Sequence, residues 1–155
     1  MMYFELYQSV KKLVAQGFGL TLDADTGKVI PSPDAELQDI KWFNNQYEGT
    51  ILTAPVLFIE FSPLVINRRT KQTNTTDITI RLHVVSKIVV DSDGDIPDTD
   101  VFRHESLAYR VLSLVEDVSL PFLEGMTRSL RVAGWEHSYK YKGWMVTLID
   151  LKTKG

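Results

Sequence analysis

The sequence predicts an α+β domain: an antiparallel sheet of about four strands with two main helices packed on one face, in the order helix, strand pair, helix, strand pair. Three observations carry this. Apolar residues recur every three or four positions in two separate stretches, near residues 2–16 and 101–118. Between and after them, apolar and polar residues alternate in the way a half-buried strand requires. The strand-like runs come in pairs around polar loops instead of alternating singly with helices, which favours an antiparallel sheet over βαβ units. A chain of 155 residues fits one domain, 1–155, and buries roughly 70% of its unfolded surface on folding, enough for a core without staples.

The first helix rests on Phe4, Tyr7, Val10 and Val14, with Leu6 and Leu13 widening the stripe and Gly17 placed as a left-handed cap. "LTLDADTGKVIPSPDAE" follows, a connector with a turn at Asp25 to Lys28 and stops at Pro31 and Pro33. "LQDIKWFNNQYEG" fits a short strand or one helical turn, and periodicity does not separate them. "PVLFIEFSPLVI" is a strand in which Pro63 marks an edge or a bulge. Its partner is "DITIRLHVVSKIVV", where Ile78, Ile80, Leu82 and Val84 alternate with Thr79, Arg81 and His83 across the polar loop "NRRTKQTNTT". Val101, Leu107, Ala108, Val111, Leu112, Val115 and Val118 then give the second helix, ended by Pro121 and Gly125. Two β-rich runs around "KYKG", with Gly143 supplying the turn, close the chain as a hairpin.

Composition excludes several classes. A formal net charge of −3 gives no electrostatic footprint for wrapping nucleic acid, so no sequence-specific nucleic-acid binding is expected, and it does not favour an anionic membrane. With no cysteine there is no disulfide framework, thiolate zinc site or cysteine nucleophile. Lys11 and Lys12 interrupt the N-terminal stretch, which argues against a secretory signal, and no apolar run approaches the ~20 residues a membrane span needs. The expectation is a soluble intracellular protein.

Only one segment concentrates chemistry. "DSDGDIPDTD", residues 91–100, holds five carboxylates. Asp91, Asp93 and Asp95 alternate as ligands of a hard cation would, and the stretch resembles the Asp/Gly calcium loops of thrombospondin-type repeats. It lacks one of their glycines and occurs once. Counted as an EF-hand from Asp91, it puts Ile96 where Gly is needed and Phe102 where Glu is needed. Asp98, Thr99 or Asp100 capping the following helix accounts for more of the residues. His83, His104 and His137 lie in no zinc spacing, and no G-x-S-x-G elbow supplies a nucleophile, so they read as structural. Glu5, Glu60, Glu105 and Glu116 are acid/base candidates only if the fold brings two of them together. No phosphate-binding glycine motif occurs; "QGFG" is a helix cap. No catalytic residue, cofactor or metal is therefore expected.

Alternation in "VLFIEF" makes both faces of one strand apolar: Leu57, Ile59 and Phe61 on one, Val56 and Phe58 on the other. Two helices cover one face, and a loop or a second subunit must cover the other. Homo-oligomerisation follows as a hypothesis.

The series "WFNNQYEG", "APVLFIEF", "TDITIRLHVV", helix, and closing hairpin ending "VTLIDL" resembles the small tail-terminator and tail-completion (head–tail joining) proteins of long-tailed bacteriophages and prophages. That resemblance covers most of the chain. It implies a non-enzymatic α+β subunit that forms a ring, often a hexamer, capping the finished tail tube and docking it to the head. It further implies tail-tube and head–tail connector proteins as partners, the host cytoplasm during assembly, and the virion tail or neck afterwards. Within such a ring the expected contact sets Arg68, Arg69 and Lys71 of one copy against Asp91, Asp93 and Asp95 of the next. The competing expectations are a calcium-dependent interaction module using the Asp loop and a small enzyme without a recognisable motif.

Overall fold

The computed structural model describes residues 2–43, 54–68, 74–138 and 143–155. The first helix, α1 (Met2–Gly17), buries Leu6, Val10, Val14 and Ala15, the inward stripe set by the sequence spacing. Its left-handed cap is Gly19 (φ 67°), not Gly17. The Gly19 amide donates to Gln16 O at 3.2 Å and the Leu20 amide to Ala15 O at 2.8 Å, which satisfies carbonyls the helix end would otherwise orphan. Gly17 has a different task. A Cβ there would collide with the methyls of Leu114, so the missing side chain admits the second helix.

The sheet is larger than expected and mixed. It contains β1 (Asp39–Trp42), β2 (Val56–Phe61), β3 (Val65–Arg68), β4 (Asn74–Lys87), β7 (Arg131–Ser138) and β8 (Trp144–Lys154), in spatial order β1-β2-β4-β8-β7. β1 runs parallel to β2, with Ile40 opposite Leu57; every other pairing is antiparallel. β3 continues along β4 beyond the end of β2, and Pro63 falls in the break between them. A separate two-stranded ribbon pairs β5 (Pro121–Phe122) with β6 (Gly125–Met126). The expected four antiparallel strands are thus corrected to a six-stranded mixed sheet. The two strands beyond the expected four are β1, in the segment left open between a short strand and a helical turn, and β3, the part of the expected strand run beyond Pro63. β1 sends a single residue, Ile40, into the core, and all four residues of β3 are exposed, so neither prints a period of two.

The second helix, α2 (Asp98–Val115), starts at Pro97 without a side-chain cap. The capping role expected of Asp98, Thr99 or Asp100 is therefore not filled; Asp98 and Asp100 lie in the first turn, where the helix dipole favours a negative charge. His104, Leu107, Ala108, Val111, Leu112 and Val115 are its buried stripe. Both helices and one sheet face meet in a single apolar cluster that includes Leu57, Ile59, Ile80, Leu82, Ile149 and Leu151.

The helix-free face has its own small core. Val56, Phe58, Val85 and Val146 are each at most 1% exposed, with Phe43, Trp144 and Leu148 packed against them. The doubly apolar strand is thus sheltered within one chain, and no second subunit is required to cover it.

Candidate functional site

β4 is the longest strand, and it separates the two charged segments singled out in the sequence. Arg68 is exposed at the end of β3, opposite Asn74 at the start of β4. The Asp loop begins just past Lys87, at the other end. The rise of ~3.3 Å from each of the fourteen residues of β4 to the next sets Asn74 and Lys87 about 43 Å apart. Arg69 and Lys71 lie outside the described residues.

The Asp loop is held by its own backbone. Asp91 Oδ1 accepts the amides of Asp93 at 2.9 Å and Asp95 at 3.0 Å, while the Asp91 amide donates to Asp95 O at 2.8 Å and Gly94 takes a left-handed φ of 83°. This turn occupies one oxygen of Asp91 and leaves Asp93 and Asp95 exposed. Among the described residues, no group of three or more His, Asp or Glu is gathered as metal ligands would be, and no helix is long and apolar enough to cross a membrane.

The histidines build two networks. His104, 2% exposed, reaches Ser86 Oγ with Nδ1 at 2.7 Å and Thr147 Oγ1 with Nε2 at 2.8 Å, joining α2 to β4 and β8. Thr147 Oγ1 lies 3.3 Å from His137 Nδ1, and His137 Nε2 lies 2.6 Å from Glu105 Oε1. One consistent proton arrangement runs through the chain: Ser86 donates to His104, His104 to Thr147, Thr147 to His137, and His137 to Glu105. Burial, reinforced by nearby His137, pushes the His104 pKa down to about 4. Neutral and bonded at both nitrogens, His104 has no lone pair left for a substrate, and Ser86 has no base stronger than that imidazole.

On the helix-free face, His83 Nε2 lies 2.6 Å from Glu60 and its ring stacks on Phe43 at 4.2 Å. The strand alternation places His83 on this face correctly, but the residue is buried, and burial lowers its pKa against the opposing pull of Glu60. Arg81 donates from Nε to Asp150 Oδ1 at 2.8 Å and from Nη2 to Asp150 Oδ2 at 3.2 Å, a two-pronged bond that holds the guanidinium charged. Of the acid/base candidates, Glu60 pairs with His83, Glu105 with His137, and Glu5 accepts the Leu123 amide at 3.1 Å. These three carboxylates serve different partners, and Glu116, the fourth candidate, stands at the C-terminal cap of α2.

A groove that the sequence reading missed lies along the β1 edge, between α1, the turn at 22–29 and β1. Its volume is about 470 Å³. Lys11, Lys12, Lys28 and Lys41 line it together with Phe4, Tyr7 and Trp42. Asp39 is its one carboxylate among the described residues, 3.4 Å from Lys41 Nζ. Lys11 Nζ donates to Tyr7 Oη at 3.4 Å, and the Tyr7 and Trp42 rings meet edge to face at 5.3 Å. The lysines are spread over thirty residues of sequence, and only the packing of α1 beside β1 unites them.

No family model matches the chain, and no curated protein matches it. Its fold has a counterpart among solved structures. A chain described as "Virion of native gene transfer agent (GTA) particle" superposes with a TM-score of 0.58 at 9% identity, over 99% of this chain and 96% of that one.

At that identity the likeness shows the fold alone. That likeness extends over nearly the whole of both chains.

Proposed function

We propose that this chain is a non-enzymatic structural protein of a phage-like particle, and that copies of it form a ring capping the tail tube and joining it to the head. The observation that carries the proposal is the end-to-end fold likeness to a chain of a gene transfer agent virion. It agrees with the resemblance to tail-terminator and tail-completion proteins drawn from element order and from "APVLFIEF", "TDITIRLHVV" and "VTLIDL".

Surface features support assembly in place of the doubly apolar strand. Ile66, Leu123 and Met126 are each more than half exposed and border one hollow of about 340 Å³ beside β3. Exposed apolar groups gathered in this way mark contact surfaces. The sheet ends in two unlike edges, β1 with β3 on one side and β7 on the other. A closed ring joins unlike surfaces of successive copies. The charged segments at the two ends of β4 fit the same logic, because a contact between Arg68, Arg69 and Lys71 of one copy and Asp91, Asp93 and Asp95 of the next would steer register more than it adds affinity.

Light scattering combined with negative-stain electron microscopy of the purified protein tests the proposal. Uniform rings of one subunit number are expected. A strictly monomeric protein at high concentration, with or without tail-tube protein, rejects it.

A further inference from the structure

We propose that the lysine-lined groove between α1, the 22–29 turn and β1 is a binding site for single-stranded nucleic acid, taken without sequence preference. The inference goes beyond the ring proposal and does not depend on it.

The argument begins with charge. The chain carries ten lysines and a net charge of −3, yet four of those lysines, Lys11, Lys12, Lys28 and Lys41, border one concavity whose only carboxylate among the described residues is Asp39. A whole-chain sum hides this local excess. Ammonium groups spaced along a groove neutralise successive phosphates as point charges and release condensed counterions. The second component is aromatic. Phe4 is 49% exposed and Trp42 is 41% exposed; both rings contact Tyr7, with centroids 6.5 and 5.3 Å away, and Trp42 also packs on Phe61 at 5.3 Å. Ring faces beside a cationic track are what unpaired bases stack on, each such base worth about 1–3 kcal/mol. A duplex keeps its bases stacked on one another and offers these rings nothing, so selectivity for single strands follows from the pairing of rings with lysines. An acidic peptide would use the lysines and leave the rings unused. Sequence tolerance follows as well, because every base has a π-face while lysine reads no base pattern.

The test titrates the full chain with an end-labelled oligothymidylate at several salt concentrations, following anisotropy and tryptophan emission. Expected are quenching that disappears in Trp42→Phe and a log–log salt slope approaching about −3 if all four lysines engage, from roughly −0.7 per phosphate. Lys12→Ala and Lys28→Ala, both at exposed positions, should each make the slope shallower by about 0.7 while leaving the melting temperature unchanged. Absence of quenching, a slope unchanged in both lysine variants, equal affinity for a duplex of the same length, or equal affinity for polyglutamate would each overturn the proposal. The last outcome would reassign the groove to an acidic protein segment.

Discussion

His104 shows how much one buried polar side chain decides. Its ring bonds Ser86 and Thr147 and ties α2 to the two central strands. The ordinary histidine value is 6.5, and in the folded chain it falls to about 4. Between those values the unfolded chain binds a proton that the folded chain refuses. The contribution of His104 is therefore intact above pH 6.5 and is lost as pH falls towards 4, up to about 3 kcal/mol. His83, also lowered by burial, adds to the same slope. Urea midpoints measured from pH 7 to pH 4 should fall steadily in the native chain and more gently in His104→Gln; equal slopes would contradict the assignment. Asp91 is the opposite kind of residue. What looked like a cation ligand spends one oxygen on two amides of its own loop.

At the level of elements, two devices have separable costs. The α1 cap needs a left-handed residue, and the space around the Gly19 Cα is open, so Gly19→Ala carries backbone strain alone. A loss of about 1 kcal/mol, or roughly 3 °C in Tm, is expected from a thermal melt. β2 is buried on both faces, with Leu57 and Ile59 in the helix-covered core and Phe58 in the small core behind the sheet. Phe58→Ala should cost about 3–5 kcal/mol in chemical denaturation, as for truncation in a main core. A loss under 1 kcal/mol would mean that the helix-free face is loosely packed. Alternation made both faces of β2 legible as apolar. It could not tell which chain covered the second face, because burial depends on what packs above a strand and not on the strand's own residues.

For the whole molecule, the question is how copies meet. Arg68, opposite Asn74 at the start of β4, and the Asp loop past Lys87 are set apart by the length of that strand, about 43 Å, too far to pair within one chain. Arg68→Glu combined with Arg69→Glu should abolish ring formation in electron micrographs while leaving the monomer's circular dichroism intact. Rings that persist in that variant discard this pairing and leave the assembly proposal standing on the apolar hollow beside β3. Shape and charge also separate at this scale. A net charge of −3 describes the surface average, whereas the β1-edge groove gathers four lysines.

Local pattern by itself determined the two helices, the pairing of β2 with β4 and the closing hairpin, because each is written in residues a few positions apart with a period of two or of three to four. Tertiary structure alone decided the rest. It added β1 and β3 to the sheet, moved the helix cap to Gly19, sealed Phe58 inside one chain, linked His104 to Thr147 and assembled the lysine groove. Edge strands with no inward period, and side chains united only by the packing of distant segments, leave no short-range trace. Their positions are set by which surfaces the core brings together.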